Sequence, residues 1–176
     1  GDVDSDGDVD IYVANDTTDN FLYMNDGSGK FEEAATIAGV SGDEYGVSTG
    51  SMGVVLEELT GDDLLDLWVT NFERELYALY RNEGSGLFTH VSRNAGLAAI
   101  NGLFVGFGTV AVDIDHDGDN DLVVANGHVS YFAKNAPFKQ SALLLRNDGG
   151  GKFSRLRESG YFSELHSGRG LAKADL

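Results

Sequence analysis

The 176-residue chain has no cysteine. That single absence removes disulfides, thiolate metal sites and cysteine nucleophiles. Proline is nearly absent too, with 1 residue against 24 glycines, which argues for tight turns rather than Pro-rich linkers. Positive charge is scarce: 12 Lys and Arg face 29 Asp and Glu, for a formal charge of -17. Nucleic acid is therefore disfavoured as a partner, because phosphate binding needs a basic surface. An anionic membrane surface is disfavoured for the same reason. No run is apolar enough for a transmembrane helix or a signal peptide, and no membrane insertion is expected. The chain opens inside a motif and is expected to be a fragment, so a missing leader fixes no compartment. What is present, 41% hydrophobic and 10% aromatic residues, suffices for a sizeable core in one domain.

The acid is concentrated. Residues 113–121 read Asp-Ile-Asp-His-Asp-Gly-Asp-Asn-Asp, and residues 2–10 read Asp-Val-Asp-Ser-Asp-Gly-Asp-Val-Asp. Carboxylates at alternating positions repel one another unless a cation sits among them, and oxygen ligands wrapped round one ion are what calcium selects. Gly7 and Gly118 fall where the loop must turn sharply. The expected metal ligands are Asp2, Asp4, Asp6, Asp8 and Asp10 in the first loop, and Asp113, Asp115, Asp117, Asp119 and Asp121 in the third. Asp8 and Asp119 would contribute backbone carbonyls. The alternative is a solvated acidic turn without an ion. An EF-hand begins the same way but needs a bidentate glutamate at position 12, where this chain has Val13 and Val124 inside apolar runs. A dockerin-type helix fails on the same ground. A weaker version spans Glu58, Thr60, Asp62, Leu64 and Asp66, with Asp63 in place of the glycine, and weaker calcium binding or none is expected there. Calcium loops of middling affinity favour an extracellular, periplasmic or cell-surface setting.

The loop also marks a repeat. Its first position falls on Asp2, Glu58, Asp113 and Asp175, a near-constant period stretched once in the third interval. A second marker agrees: Asn25-Asp26-Gly27-Ser28-Gly29-Lys30-Phe31 returns as Asn82 to Phe88 and as Asn147 to Phe153. Between the markers lie short apolar runs. In the third repeat these are residues 106–112, 122–125, 142–146 and 153–156, four strands joined by turn chemistry that accepts positive φ. Gly53, Gly108 and Gly170 share a phase in the first strand, where small side chains suit crowding near a central axis. Four strands per period of this size read as β-propeller blades. The fold class is therefore all-β, a partial propeller of about three blades. The repeats run approximately 1–49, 50–105 and 106–167, with a next blade starting at 168–176. Short helical turns are expected within 32–40 and 92–97. Residues 127–140 form an insert between the second and third strands of the third repeat. Three blades are too few for a comfortable closed ring, so the expected neighbours are the remaining blades of a parent chain or another copy.

The Asp-x-Asp-x-Asp-Gly-x-x-Asp-Leu loop after the glycine-rich Gly106-Phe107-Gly108 strand resembles the FG-GAP/VCBS repeat of integrin-α-like propellers. Residues 22–31 with Ala38-Gly39-Val40, residues 79–88 with Ala95-Gly96-Leu97, and Asn126-Gly127-His128-Val129 are similar to the subset found with ASPIC/UnbV domains, related to cartilage acidic protein. The resemblance covers essentially the whole chain. It implies a secreted or surface-exposed, calcium-binding propeller with a role in adhesion or scaffolding.

Signals for catalysis are thin. There is no P-loop, dinucleotide fingerprint or Ser-His-Asp spacing. His116 lies at a non-ligand position of the third loop. His90 lies on a strand, His166 before the last strand, and His128 beside the insert. Paired acids for glycoside hydrolysis would be hard to separate from cation ligands. Trp68, Tyr77, Tyr80, Tyr131 and Phe132 are stacking candidates, with Trp68 better read as core. The expectation is a non-enzymatic module binding a protein or glycan, with calcium in a structural role. The alternative is part of a polysaccharide-cleaving lyase or hydrolase.

Overall fold

In the middle repeat, residues of both parities are apolar, as a strand buried on both faces requires. The computed structural model describes residues 1–100, 102–157 and 160–174. Asp175, the expected start of a fourth loop, lies outside them. The described strands form three antiparallel sheets. The first holds β1 (Ile11–Val13), β2 (Phe21–Asn25) and β3 (Phe31–Glu33). The second holds β4 (Val54–Glu57), β5 (Asp66–Val69), β6 (Ala78–Asn82) and β7 (Phe88–His90). The third holds β8 (Gly106–Val112), β9 (Asp121–Asn126), β10 (Leu143–Asn147) and β11 (Phe153–Leu156). Each sheet is a meander in chain order, and the all-β architecture is that of β-propeller blades. The acidic loop joins the first strand of a blade to the second, β4 to β5 and β8 to β9. The helical turn expected within 32–40 is α1 (Ala35–Ala38), while the one expected within 92–97 is a plain turn that passes into a 3-10 turn at Leu97–Ala99.

Blades stack through the two faces of the middle one. Leu67, Val69, Ala78 and Tyr80 of β5 and β6 pack with Val3, Leu22 and Val40 on the side of the first blade. The intervening Trp68 and Leu79 pack with Leu122, Val124, Leu143 and Leu145 of the third. Period-two alternation thus sends successive side chains into two different cores. Trp68 is fully buried, meets Tyr77 edge-to-face at 5.8 Å, and donates its indole N–H to Thr109 Oγ1 at 3.0 Å. Thr109 in turn donates to the Val123 carbonyl at 3.0 Å. Trp68 is core, as its sequence context indicates.

The inner strands approach closely. The Thr70 hydroxyl accepts the Gly53 N–H at 2.9 Å and faces the Gly106 and Phe107 carbonyls at 3.0 and 3.1 Å. A Cβ on Gly53 would overlap the Phe107 carbonyl oxygen, and one on Gly108 would lie 2.8 Å from the Gly170 carbonyl carbon. Gly170 differs: nothing lies within 4 Å of its Cβ position. Crowding thus holds for the first-strand glycines of the second and third blades and fails at Gly170.

Two predictions follow from this packing. Gly53→Ala destabilises by roughly 2–3 kcal/mol, near the top of the overpacking range, while Gly170→Ala stays within about 0.5 kcal/mol; chemical denaturation of both variants checks the contrast. His90 stacks edge-on to Tyr80 at 5.1 Å, and its buried Nδ1 lacks a hydrogen-bond partner. Burial pushes its pKa below the ordinary 6.5, although the charges of Glu44 and Asp43 oppose this. The unfolded chain then binds a proton that the folded chain refuses. Stability should fall as pH drops below about 6.5 and level off below the folded pKa, by at most about 1.4 kcal/mol per pH unit. Comparing denaturation of the wild type and His90→Gln across this window should show the slope reduced in the variant.

Candidate metal centres

Each loop gathers carboxylates from a few consecutive residues. Oxygens of Asp2, Asp4 and Asp6 lie within 4.8 Å of one another, as do those of Glu58, Asp62 and Asp66, and those of Asp113, Asp115 and Asp121. The backbone turns inward on itself to do this. In the first loop the Asp2 carboxylate accepts the N–H groups of Asp6 (3.2 Å) and Gly7 (3.0 Å). In the third, Asp113 accepts those of Asp117 (3.2 Å) and Gly118 (3.0 Å). In the second, the longer Glu58 side chain accepts from Thr60 at 2.9 Å, Asp62 at 3.3 Å and also Gly61.

The second loop keeps the turn although Asp63 stands in place of the glycine. In all three loops the fourth and sixth positions are left-handed. They are Ser5 (φ 64) and Gly7 (φ 98), then Gly61 (φ 82) and Asp63 (φ 64), then His116 (φ 61) and Gly118 (φ 99). Each loop places one glycine and one non-glycine there, so the second loop has exchanged their order. The local cost of a left-handed non-glycine residue, about 1–2 kcal/mol, is the same count in each. Thr60, its third-position residue, has a buried hydroxyl with no hydrogen bond of normal geometry, although it lies near enough to lower the Asp66 pKa.

The ninth-position aspartates are the buried ones: Asp10 is 3% exposed, Asp66 0% and Asp121 1%. One oxygen of each accepts the N–H of the second loop residue, from Val3 (2.9 Å), Leu59 (3.0 Å) and Ile114 (3.0 Å). The other accepts the N–H of the residue that ends β2, β6 or β10, from Asn25 (2.9 Å), Asn82 (2.9 Å) and Asn147 (2.8 Å). Asp66 and Asp121 reach their carboxylate clusters with these bonds in place. Asp10 stands outside the close set of Asp2, Asp4 and Asp6. Asp117 also stands outside its close set; its Oδ1 accepts the Asp119 N–H at 3.0 Å, as Asp6 accepts that of Asp8 at 2.9 Å. Asp8 and Asp119 were expected to offer main-chain oxygen; Leu64 has no side-chain oxygen to join the Glu58, Asp62 and Asp66 cluster.

Charge is crowded in these loops. Desolvation, then the charges of Asp6, Asp10 and Asp2, hold the Asp4 carboxyl above its ordinary pKa, against a hydrogen bond from the Asp6 N–H. At Asp115 desolvation is joined by Asp117, Asp121 and Asp113. Burial raises Asp66, opposed by the N–H groups of Asn82 and Leu59. A cation among such carboxylates would relieve the repulsion that adds to this desolvation. The donor set is all oxygen, without imidazole or thiolate in the close clusters, which fits a hard cation. His116 is exposed and outside the cluster.

The other singled-out residues lie outside the three carboxylate clusters. His128 is 4% exposed; its Nδ1 accepts the Ser130 N–H at 2.9 Å, and its Nε2 stands 3.8 Å from Glu73 Oε2. Asn135 donates to Glu73 at 3.0 Å and accepts from Arg74 at 2.8 Å. Together these contacts dock the 127–140 insert on the second blade. His166 stacks on Tyr161 at 4.4 Å. Tyr77 and Tyr80 are buried, whereas Tyr131 is 76% and Phe132 94% exposed.

The side chains that sequence reasoning passed over are Asn25, Asn82 and Asn147. They recur at one phase and were read only as turn formers. Their amides in fact bond the main chain of the loops, and their recurrence one residue before an acidic side chain, Asp26, Glu83 or Asp148, was the available signal.

The acidic loops also frame the likeness to known proteins. A family model described as the FG-GAP-like repeat matches residues 2–69 and 58–124. Both matches begin at the first position of an acidic loop and end in the strand that follows the next one or its equivalent. No curated protein matches the chain. Among solved structures, an Agrocybe aegerita lectin, described for its specific recognition of non-reducing terminal N-acetylglucosamine, is 21% identical. The alignment covers 87% of this chain and 35% of that one, with a TM-score of 0.47. The chain thus spans about a third of that lectin's length. The two family matches overlap and together run from residue 2 to residue 124, more than half of the chain, which therefore belongs to the FG-GAP-like repeat family.

Proposed function

We propose that this chain is a non-enzymatic, calcium-stabilised β-propeller module that binds a protein or glycan outside the cytoplasm, at a cell surface, in a periplasm or in an extracellular space. The observation that carries the reading is the threefold recurrence of an all-oxygen carboxylate cluster between the first two strands of a blade period. Calcium suits that set because it accepts many oxygen ligands in irregular geometry. Its role is structural: it neutralises the loop and fixes the joint between strands. Asp2, Asp4 and Asp6 would hold it in the first loop, Glu58, Asp62 and Asp66 in the second, and Asp113, Asp115 and Asp121 in the third, with the remaining oxygens of each loop and water completing the shell. The insert at 127–140, with exposed Tyr131 and Phe132, supplies a surface for ligand contact. The Ala38-Gly39-Val40 and Ala95-Gly96-Leu97 turns support kinship with the ASPIC/UnbV-associated subset.

Calcium should raise the melting temperature relative to a chelator. Each site occupied at a hundredfold excess over its dissociation constant contributes about 2.7 kcal/mol. Asp115→Ala should remove the share of the third loop while leaving that of the first. Superimposable melting curves in calcium and in EDTA would sink the reading.

A further inference from the structure

The three loops are wired to one another through the asparagine that ends the third strand of a blade. Asn82 Nδ2 donates to Leu65 O at 3.0 Å, in the loop of its own blade, and to Val3 O at 2.8 Å, in the loop of the preceding blade. Asn147 repeats the arrangement one blade on, donating to Asn120 O at 3.3 Å and to Leu59 O at 3.0 Å. Each side-chain oxygen is used as well, accepting Gly84 N–H at 2.8 Å and Gly149 N–H at 3.1 Å. Asn25, at the same phase, holds Val9 O of its own loop at 3.2 Å.

Two further contacts join the same partners. A Cβ on Gly86 would lie 3.5 Å from Asp4 Cβ, and one on Gly151 would lie 2.8 Å from Thr60 Cγ2. The turn after each asparagine therefore rests on the third position of the preceding loop. Asn120 Nδ2, in the third loop, also donates to Glu58 O at 3.2 Å, at the first position of the second. Loop and turn are thus joined in an alternating series across the blade interfaces.

From this geometry we infer that Asn82 and Asn147 are positioning residues that make cation binding by successive loops cooperative, an inference that rests on the calcium reading above. Neither side chain need touch the ion. Asn82 fixes the carbonyl of the second residue in the first loop, between the ligands Asp2 and Asp4. Its own N–H fixes Asp66 in the second loop. Ordering one loop therefore orders the asparagine, which lowers the entropy the next loop must lose when it binds. By linkage the effect is reciprocal.

The test is a calcium titration of the 176-residue chain followed by hydrogen-exchange mass spectrometry, resolved over peptides covering 1–12, 56–68 and 111–123. Asn82→Ala should weaken calcium protection of the first loop by about tenfold, within the usual range of coupling, and leave the third loop within twofold. Asn82→Asp, which keeps the shape but loses the amide donor, should behave like Asn82→Ala. Asn147→Ala provides the same test at the second loop should Asn82 variants not fold. In the otherwise unmutated asparagine background, Asp4→Ala should weaken calcium protection of the second loop, which a purely structural asparagine would not cause. If calcium protects no loop of the wild type, the calcium reading itself fails. If it protects the first loop with unchanged affinity in Asn82→Ala, or the second with unchanged affinity in Asp4→Ala, the coupling is overturned and the calcium reading stands.

Discussion

A buried carboxylate that accepts two backbone N–H groups holds each blade in shape, and the rest of the fold depends on it. Asp10, Asp66 and Asp121 are almost wholly withdrawn from solvent. A buried carboxylate is costly unless its lone pairs are satisfied. Here one oxygen closes the acidic loop on itself and the other ties that loop to the end of the third strand. The staple spans the blade from its first joint to its outer turn. It fixes where the second strand begins, and with it the alternation that sends Leu67 and Val69 toward one neighbour and Trp68 toward the other.

That constraint explains why acid can be so dense without unfolding the chain. Crowded carboxylates at Asp4 and Asp115 resist ionisation, by desolvation first and by mutual repulsion second. The backbone offsets part of the cost by turning its N–H groups inward on Asp2, Glu58 and Asp113. The remainder is what a hard cation would relieve. The loops are organised chiefly by backbone hydrogen bonds to their first-position and ninth-position carboxylates, and an ion bound there would remove repulsion within a shape already drawn.

Much of this was legible in the residues. The loop recurrence and the Asn-Asp-Gly turns located the blades, because both features are local and periodic. The expected strands at residues 106–112 and 153–156 coincide with β8 and β11. What escaped was non-local. Asn82 reaches Val3 across the blade interface, and nothing near Asn82 in the sequence announces that contact. The second loop looked damaged at Asp63, yet Gly61 two residues earlier keeps the pair of left-handed positions. Gly170 shares the phase of Gly53 and Gly108 but faces open space, since crowding depends on what lies opposite. The docking of the insert through Glu73, Asn135 and His128 joins distant segments and left no periodic trace.

The aspartate staple itself is open to direct measurement by residue-resolved amide hydrogen exchange under native conditions. The six amides that it binds belong to Val3, Asn25, Leu59, Asn82, Ile114 and Asn147. Those of Leu59, Asn82, Ile114 and Asn147 should exchange as slowly as the central strands, through the same cooperative opening, although Leu59 and Ile114 lie in loops. Exchange of these amides at the rate of free loop residues would contradict the staple's role.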